Sequence, residues 1–315
     1  MPDLRRALLV GIDQYDNFNR LGGCVNDVHR LQPLLAHHEN GDPNFDCVVR
    51  DTATRDSLIQ DVQACVAPGA DLSLFYFAGH GAEHGNDVSL CTRDGTANTH
   101  GLSMSEVMTT IQGSSVAEVI VILDCCFSGA AGQVPQLGTI GSFIRPGMSI
   151  LAASRGDQTS AETIDGGEFT SSLIAGLDGG AADVVGKITV AGLYAYLTEL
   201  FGPWDQRPTF KANVDRLHDV RHCKPAVPLD ELRRLTTIFP TADHQLPLDP
   251  SYEPDADPKD PDHEATFAIL QRCRAAKLVE PVGHDHMYFA AMQSLPCRLT
   301  ALGQHYWRLA ERNRL

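Results

Sequence analysis

LSLFYFAGHG (72–81) and VIVILDCCFSG (119–129) decide the fold. Each opens as an unbroken apolar run of strand length, the pattern of a strand covered on both faces. Each then breaks into small and reactive residues: Gly79-His80-Gly81 in the first, and Asp124-Cys125-Cys126 followed by Ser128-Gly129 in the second. In an open parallel sheet, ligands bind beyond the carboxyl ends of the strands, so two such strands lying side by side bring His80 and Cys126 to one edge. A free thiol with a pKa of about 8.5 is mostly protonated at neutral pH, and a neighbouring imidazole turns it into a nucleophile. The glycines around His80 leave room for a chain to approach. Either residue alone reads more simply, as a hydrogen-bonded histidine or an inert thiol. The two strand ends together favour a nucleophile and its base, while Cys125 alternates to the opposite face and reads as core.

Outward from these two runs, apolar β-rich segments at 7–12, 47–50, 149–153 and 209–214 alternate with helix-period segments at 24–37, 55–66, 105–111, 169–177 and 190–201. This is an α/β pattern with a mostly parallel sheet between helices. Thr54, Ser103 and Thr189 sit where N-caps belong. Beyond residue 222 eight prolines, Pro225 to Pro261, punctuate an acidic stretch. The expected organisation is a large domain over 1–222, a Pro-rich acidic linker or arm over 223–263, and a small domain over 264–315. In the last, 265–276 and 299–312 read as helices and 278–289 as a hairpin, with Tyr288, Phe289, Tyr306 and Trp307 as core.

Bulk properties narrow the function. Hydrophobic residues make up 43% and charged residues 21% of 315, ordinary for a globular chain. The formal charge of −15 opposes nucleic acid and anionic membranes and suits cationic substrates. The apolar run in MPDLRRALLVGIDQY (1–15) ends at Ile12 without a small-residue cleavage site, so it reads as a strand rather than a signal peptide. No stretch approaches the roughly 18 apolar residues of a membrane span. Nine cysteines without regular spacing point to a reducing cytoplasm. His218, His222 and Cys223 have tempting metal spacing, but no second ligand pair completes a site. They read as surface residues, and His284 and His286 as a solvated turn, so no metal site is expected.

GCVND (23–27), YFAGHG (76–81) and DCCFSG (124–129), taken together, resemble the caspase-haemoglobinase fold, and within it the metacaspase and prokaryotic caspase-homologue branch. ILAASRGDQTSAE (150–162), GEFTSSLIAGL (167–177) and QRPTF (206–210) resemble the family's second half, so the likeness spans about residues 5–214. His80 precedes Cys126 by 46 residues, near the roughly 50 typical of caspases. The resemblance implies a three-layer αβα sandwich and a cysteine endopeptidase without a required cofactor. Cys126, not Cys125, is its nucleophile, and His80 is the acid–base partner in a dyad. The backbone amides of Gly81 and Cys126 would stabilise the oxyanion.

The same resemblance implies an acidic pocket that takes Arg or Lys before the scissile bond. Asp27 and Asp124 supply its charge and Cys24 a wall, while Ala78 stands where a serine is common. The plainer alternatives are a helix-dipole charge for Asp27 and a loop cap for Asp124. Some relatives bind calcium; here Asp94 matches one ligand, but Ser105-Glu106 stands where an aspartate pair is expected. In the loop after the nucleophile, Arg145 is the one basic candidate for self-cleavage between 132 and 148. The C-terminal part resembles a winged-helix module. Its arginines are mixed with acids, so it is expected to receive a small-molecule signal or a partner protein rather than nucleic acid. A role in bacterial antiviral defence or programmed cell death follows from the family alone. The rival readings are a non-catalytic signalling scaffold and a cysteine amidase acting on small molecules.

Overall fold

The computed structural model describes residues 4–84, 87–127, 144–153, 167–201, 208–214, 217–256 and 259–315, with side chains except at His84, Cys126 and Phe127. Ser128 and Gly129 of the cysteine motif, residues 132–143 of the following loop, 154–162, Gln206 and Arg207 lie outside the described residues. The chain divides into two compact units: Met1–Ala182 with Lys187–Cys223, and Asp183–Gly186 with Lys224–Leu315.

In the first unit, β1 (Arg5–Gly11), β2 (Asp46–Arg50), β3 (Leu72–His84), β4 (Asp87–Cys91), β5 (Gly101–Ser103), β6 (Glu118–Phe127), β7 (Met148–Ala152) and β9 (Thr209–Asn213) form an eight-stranded sheet. A small ladder pairs β8 (Lys187–Ile188) with β10 (Arg221–His222). The main order is β2-β1-β3-β6-β7-β9, parallel throughout except for the antiparallel edge strand β9. Alternation along the strands sorts two cores. On one face Val10, Phe75, Phe77, Val121 and Leu123 pack with residues of α2 (Arg55–Cys65) and α3 (Met104–Gln112). On the other, Leu9, Leu74, Tyr76, Ile120 and Ile122 pack with α1 (Cys24–Ala36), α4 (Glu168–Ala175) and α5 (Val190–Leu200). This is the three-layer αβα sandwich, and double coverage explains why its central strands are uninterrupted apolar runs.

Thr54, Ser103 and Thr189 cap their helices by accepting the amides of Ser57, Glu106 and Gly192. Such caps contribute about 1 kcal/mol each. The sequence reading ends one strand at Ala78, whereas β3 continues through His84 to pair with β4. Gly-His-Gly carries little strand propensity; the parallel pairing with β6 carries the strand through it to Gly81, and the pairing with β4 continues it to His84.

In the second unit β11 (Gln245–Pro247), β13 (Pro296–Leu299) and β12 (Val279–Pro281) make an antiparallel sheet with β13 central. Its helices are α6 (Leu229–Ile238), α7 (Pro261–Ala275), α8 (Met287–Met292) and α9 (Ala301–Glu311). The Pro-rich stretch carries regular structure: α6 fits between Pro228 and Pro240, and Pro261 opens α7 behind the N-cap Asp260. Proline is favoured there because the first helical amide has no partner to lose. Residues 278–289 do not form a hairpin, since β12 pairs with β13 across α8. Tyr306 and Trp307 are buried as expected, the indole donating to the Phe239 carbonyl at 2.8 Å. Tyr288 and Phe289 are instead exposed, because α8 turns Met287, Ala290 and Ala291 inward. No helix among the described residues is long and apolar enough to cross a membrane.

Candidate active site

β3 and β6 are neighbours, and their register pairs Ala78 with Asp124, Gly79 with Cys125, and His80 with Cys126. Neighbouring strands lie about 4.8 Å apart, so the ladder sets the backbones of the expected base and nucleophile side by side. Cys125 is buried in the core shared with α2 and α3.

His80 is half-buried and held from two sides. Its Nε2 lies 2.8 Å from the Asn19 carbonyl oxygen, which can only accept, so Nε2 carries the hydrogen and Nδ1 is the basic nitrogen. Its backbone amide donates to the Tyr15 hydroxyl at 2.9 Å, and the Tyr15 ring packs on the imidazole at 4.9 Å. Gly79 makes this possible: a Cβ there would stand 2.7 Å from the Tyr15 oxygen. Burial pushes the Tyr15 phenol far above its usual range, so it stays protonated. Neither Tyr15 nor Asn19 was marked as functional by the sequence. A backbone carbonyl has no sequence signature, and Tyr15 lies 65 residues from its partner.

The acids converge at the start of α1. Asp13 takes the amides of Cys24 and Val25 at 2.9 and 3.2 Å, capping a helix whose own cap residue, Gly23, contributes no side chain. Gly11 lets this helix start come close, since a Cβ there would meet the Cys24 carbonyl at 2.2 Å. With Asp13 as the cap, Asp27 is not needed for that task. Asp27 is 2% exposed; Oδ2 accepts the Gly167 amide at 3.2 Å, and Oδ1 has no hydrogen-bond partner among the described residues. The Arg30 guanidinium stands 3.6 Å from Oδ1. Burial raises the Asp27 carboxyl to about 6; the Gly167 amide lowers it, Asp124 repels the charge and Arg30 favours it.

Asp124 lies within β6 rather than in a loop, is buried, and accepts the Thr170 hydroxyl at 2.6 Å. The Cys24 thiol is raised by burial and by Asp13, Asp124 and Asp27, placing it amid the three carboxylates. Ala78, buried beside Asp124 in the ladder, adds no polar group.

The Caspase domain family matches residues 4–212. The chain belongs to the caspase family of cysteine peptidases. Among curated relatives it resembles metacaspase-1 of Yarrowia lipolytica, 29% identical over 42% of this chain and 33% of that protein. It also resembles metacaspase-2 of Trypanosoma brucei brucei, 24% identical over 41% of this chain and 43% of that one. The matched stretches thus span less than half of those relatives. Caspase-1 from Spodoptera frugiperda shares the fold, with a TM-score of 0.51 and 14% identity over 70% of this chain and 93% of that one. A protein from Geobacter sulfurreducens aligns equally well, with a TM-score of 0.51 and 18% identity over 68% and 94%.

Asp94 and Glu106, the acids that the resemblance sets against a calcium site, are already engaged in this caspase-family chain. The Asp94 carboxylate accepts the Arg55 amide at 3.0 Å and the Thr92 hydroxyl at 2.7 Å, securing the start of α2. Glu106 closes the capping box with Ser103 and ion-pairs with Arg55. The Arg55 backbone amide thus partners Asp94 and its guanidinium partners Glu106. Among the described residues no group of three or more His, Cys, Asp or Glu side chains converges as for a metal. His218 binds the buried Glu118 at 2.7 Å, His222 stacks on His38 at 4.5 Å, and Cys223 is buried. The half-buried Arg145 donates to the carbonyls of Ile111, Val116 and Pro146, so cutting after it requires those contacts to open.

Proposed function

We propose that the chain is a cysteine endopeptidase that cleaves after Arg or Lys through the dyad of Cys126 and His80. The observation that carries this reading is the ladder pairing of His80 with Cys126 near the end of the parallel ladder between β3 and β6, two register positions beyond Ala78 and the buried Asp124. With its hydrogen on Nε2 turned to Asn19, His80 takes the thiol proton on Nδ1. The thiolate attacks the peptide carbonyl, and the amides of Gly81 and Cys126 stabilise the oxyanion. His80 then gives the proton to the leaving amine, and water hydrolyses the thioester. Asp27 and Asp124 receive the cationic side chain before the scissile bond, where a guanidinium forms charge-assisted bonds in a site shielded from water.

Calcium enters no step, given the occupation of Asp94 and Glu106. The second unit receives the activating signal, and its exposed Tyr288, Phe289 and Met292 suit a protein partner. By family analogy the enzyme serves bacterial defence or programmed cell death. Fluorogenic peptides ending in Arg, Lys or Asp, assayed with wild type and Cys126→Ala, test the reading. Cleavage after Arg or Lys that the variant lacks is expected. Cleavage after Asp overturns the pocket, and turnover of small amides alone favours an amidase.

A further inference from the structure

One end of α4 touches both pocket carboxylates. The Gly167 amide, just before the helix, donates to Asp27, and the Thr170 hydroxyl, in its first turn, donates to Asp124. Behind Thr170 stands Tyr76 of β3, fully buried, with its phenol oxygen 2.6 Å from Thr170 Oγ1. The hydrogen of Thr170 is committed to the carboxylate, so Thr170 accepts from Tyr76 and the chain runs one way: Tyr76 to Thr170 to Asp124. Three elements, β3, α4 and β6, meet in these two short bonds.

We infer that Thr170, backed by Tyr76, is a positioning residue of the acidic pocket, fixing the Asp124 carboxylate in the orientation that receives a guanidinium or ammonium. This rests on the proposed reading of Asp27 and Asp124 as the pocket for a basic side chain. Two carboxylates in a buried site repel each other and resist ionising together. Directed donors offset that repulsion and hold the oxygens where a cation meets them. A linear relay does so without introducing a competing positive charge. The Tyr76 phenol, raised well above its ordinary range by burial and the nearby acids, remains a donor throughout. The side-chain bonds of Thr170 run to Asp124 and Tyr76, so its effect is expected on binding rather than on the chemical step.

The test compares wild type, Thr170→Val, Thr170→Ser and Tyr76→Phe by steady-state cleavage of an Arg-ending peptide, with the Kd of agmatine as a guanidinium probe and the thermal midpoint of each protein. A hydrogen bond to a charged group is worth roughly tenfold in binding. Thr170→Val is therefore expected to raise KM and the agmatine Kd together by about tenfold with kcat unchanged. Thr170→Ser restores both. Tyr76→Phe, which leaves the Thr170 donor in place, raises them by about threefold, and it carries the test should Thr170→Val prove unfolded. A lowered thermal midpoint with unchanged KM and Kd makes the relay purely structural and overturns the inference. A wild type that neither cleaves after basic residues nor binds agmatine overturns the pocket reading itself.

Discussion

His80 stands half-buried within β3, oriented by a backbone carbonyl and a tyrosine hydroxyl, whereas Asp27 and Asp124 are almost fully buried and oriented by donors at the start of α4. On the proposed reading, the difference matches what each would do. The groups that orient His80, a backbone carbonyl and a phenol hydroxyl, are neutral. A pocket that recognises charge gains by keeping its carboxylates from water, where their attraction for a cation is less screened. Burial has a cost, visible in the Asp27 carboxyl held at about 6. One strand position pair, Gly79 with Cys125, separates the His80–Cys126 pair from the one that holds the buried Asp124.

The sharpest way to break this comparison is to remove one side at a time. Cys126→Ala abolishes turnover, and His80→Ala lowers kcat by about 10²- to 10⁴-fold while leaving KM for an Arg peptide near wild type. A rise in KM of the same size would merge the two regions. Asp27→Asn does the reverse, raising KM by about a hundredfold without slowing alkylation of Cys126 by iodoacetamide.

The pH dependence sharpens it further. The ordinary carboxyl value is 3.8 and the folded value about 6, so between these the folded chain holds a proton that the unfolded chain has lost. This stabilisation is full below the lower value and disappears as pH rises through the upper one. Asp27→Asn is therefore expected to raise the thermal midpoint at pH 8 by about 3 °C and to flatten its dependence on pH between 4 and 6. In the wild type, KM for an Arg peptide climbs as pH falls below about 6, because the pocket loses a charge. A KM flat to pH 5 would detach Asp27 from substrate binding. Tyr15→Phe removes the acceptor of the His80 amide, and a fall in kcat of about fivefold, with KM unchanged, is expected. The smallest effect is that of EGTA, which leaves cleavage unchanged because Arg55 already satisfies Asp94 and Glu106; loss of activity would reopen the calcium question.

Much of the fold was legible because doubly covered strands must be apolar throughout and helix starts need hydroxyl caps; the central runs, Thr54, Ser103 and Thr189 carry those marks. The hairpin of β4 and β5 was not, since short strands added to a strand end show no periodicity of their own. In the second unit prolines that usually end regular structure instead begin it, and only the packed chain shows which role each takes.

The site divides in the same way. His80 and Cys126 stood out in the sequence because reactive side chains follow two unbroken apolar runs, while Asp27 and Asp124 were named through the family resemblance. Their company was decided by tertiary structure alone. The Asn19 carbonyl that fixes the histidine tautomer could belong to any residue type, and Asp13, not Asp27, caps the start of α1. Thr170 and Tyr76 meet across 94 positions through helix packing on the sheet. Local sequence specifies which groups can react; the distances and desolvation that tune them arise only when remote segments pack together.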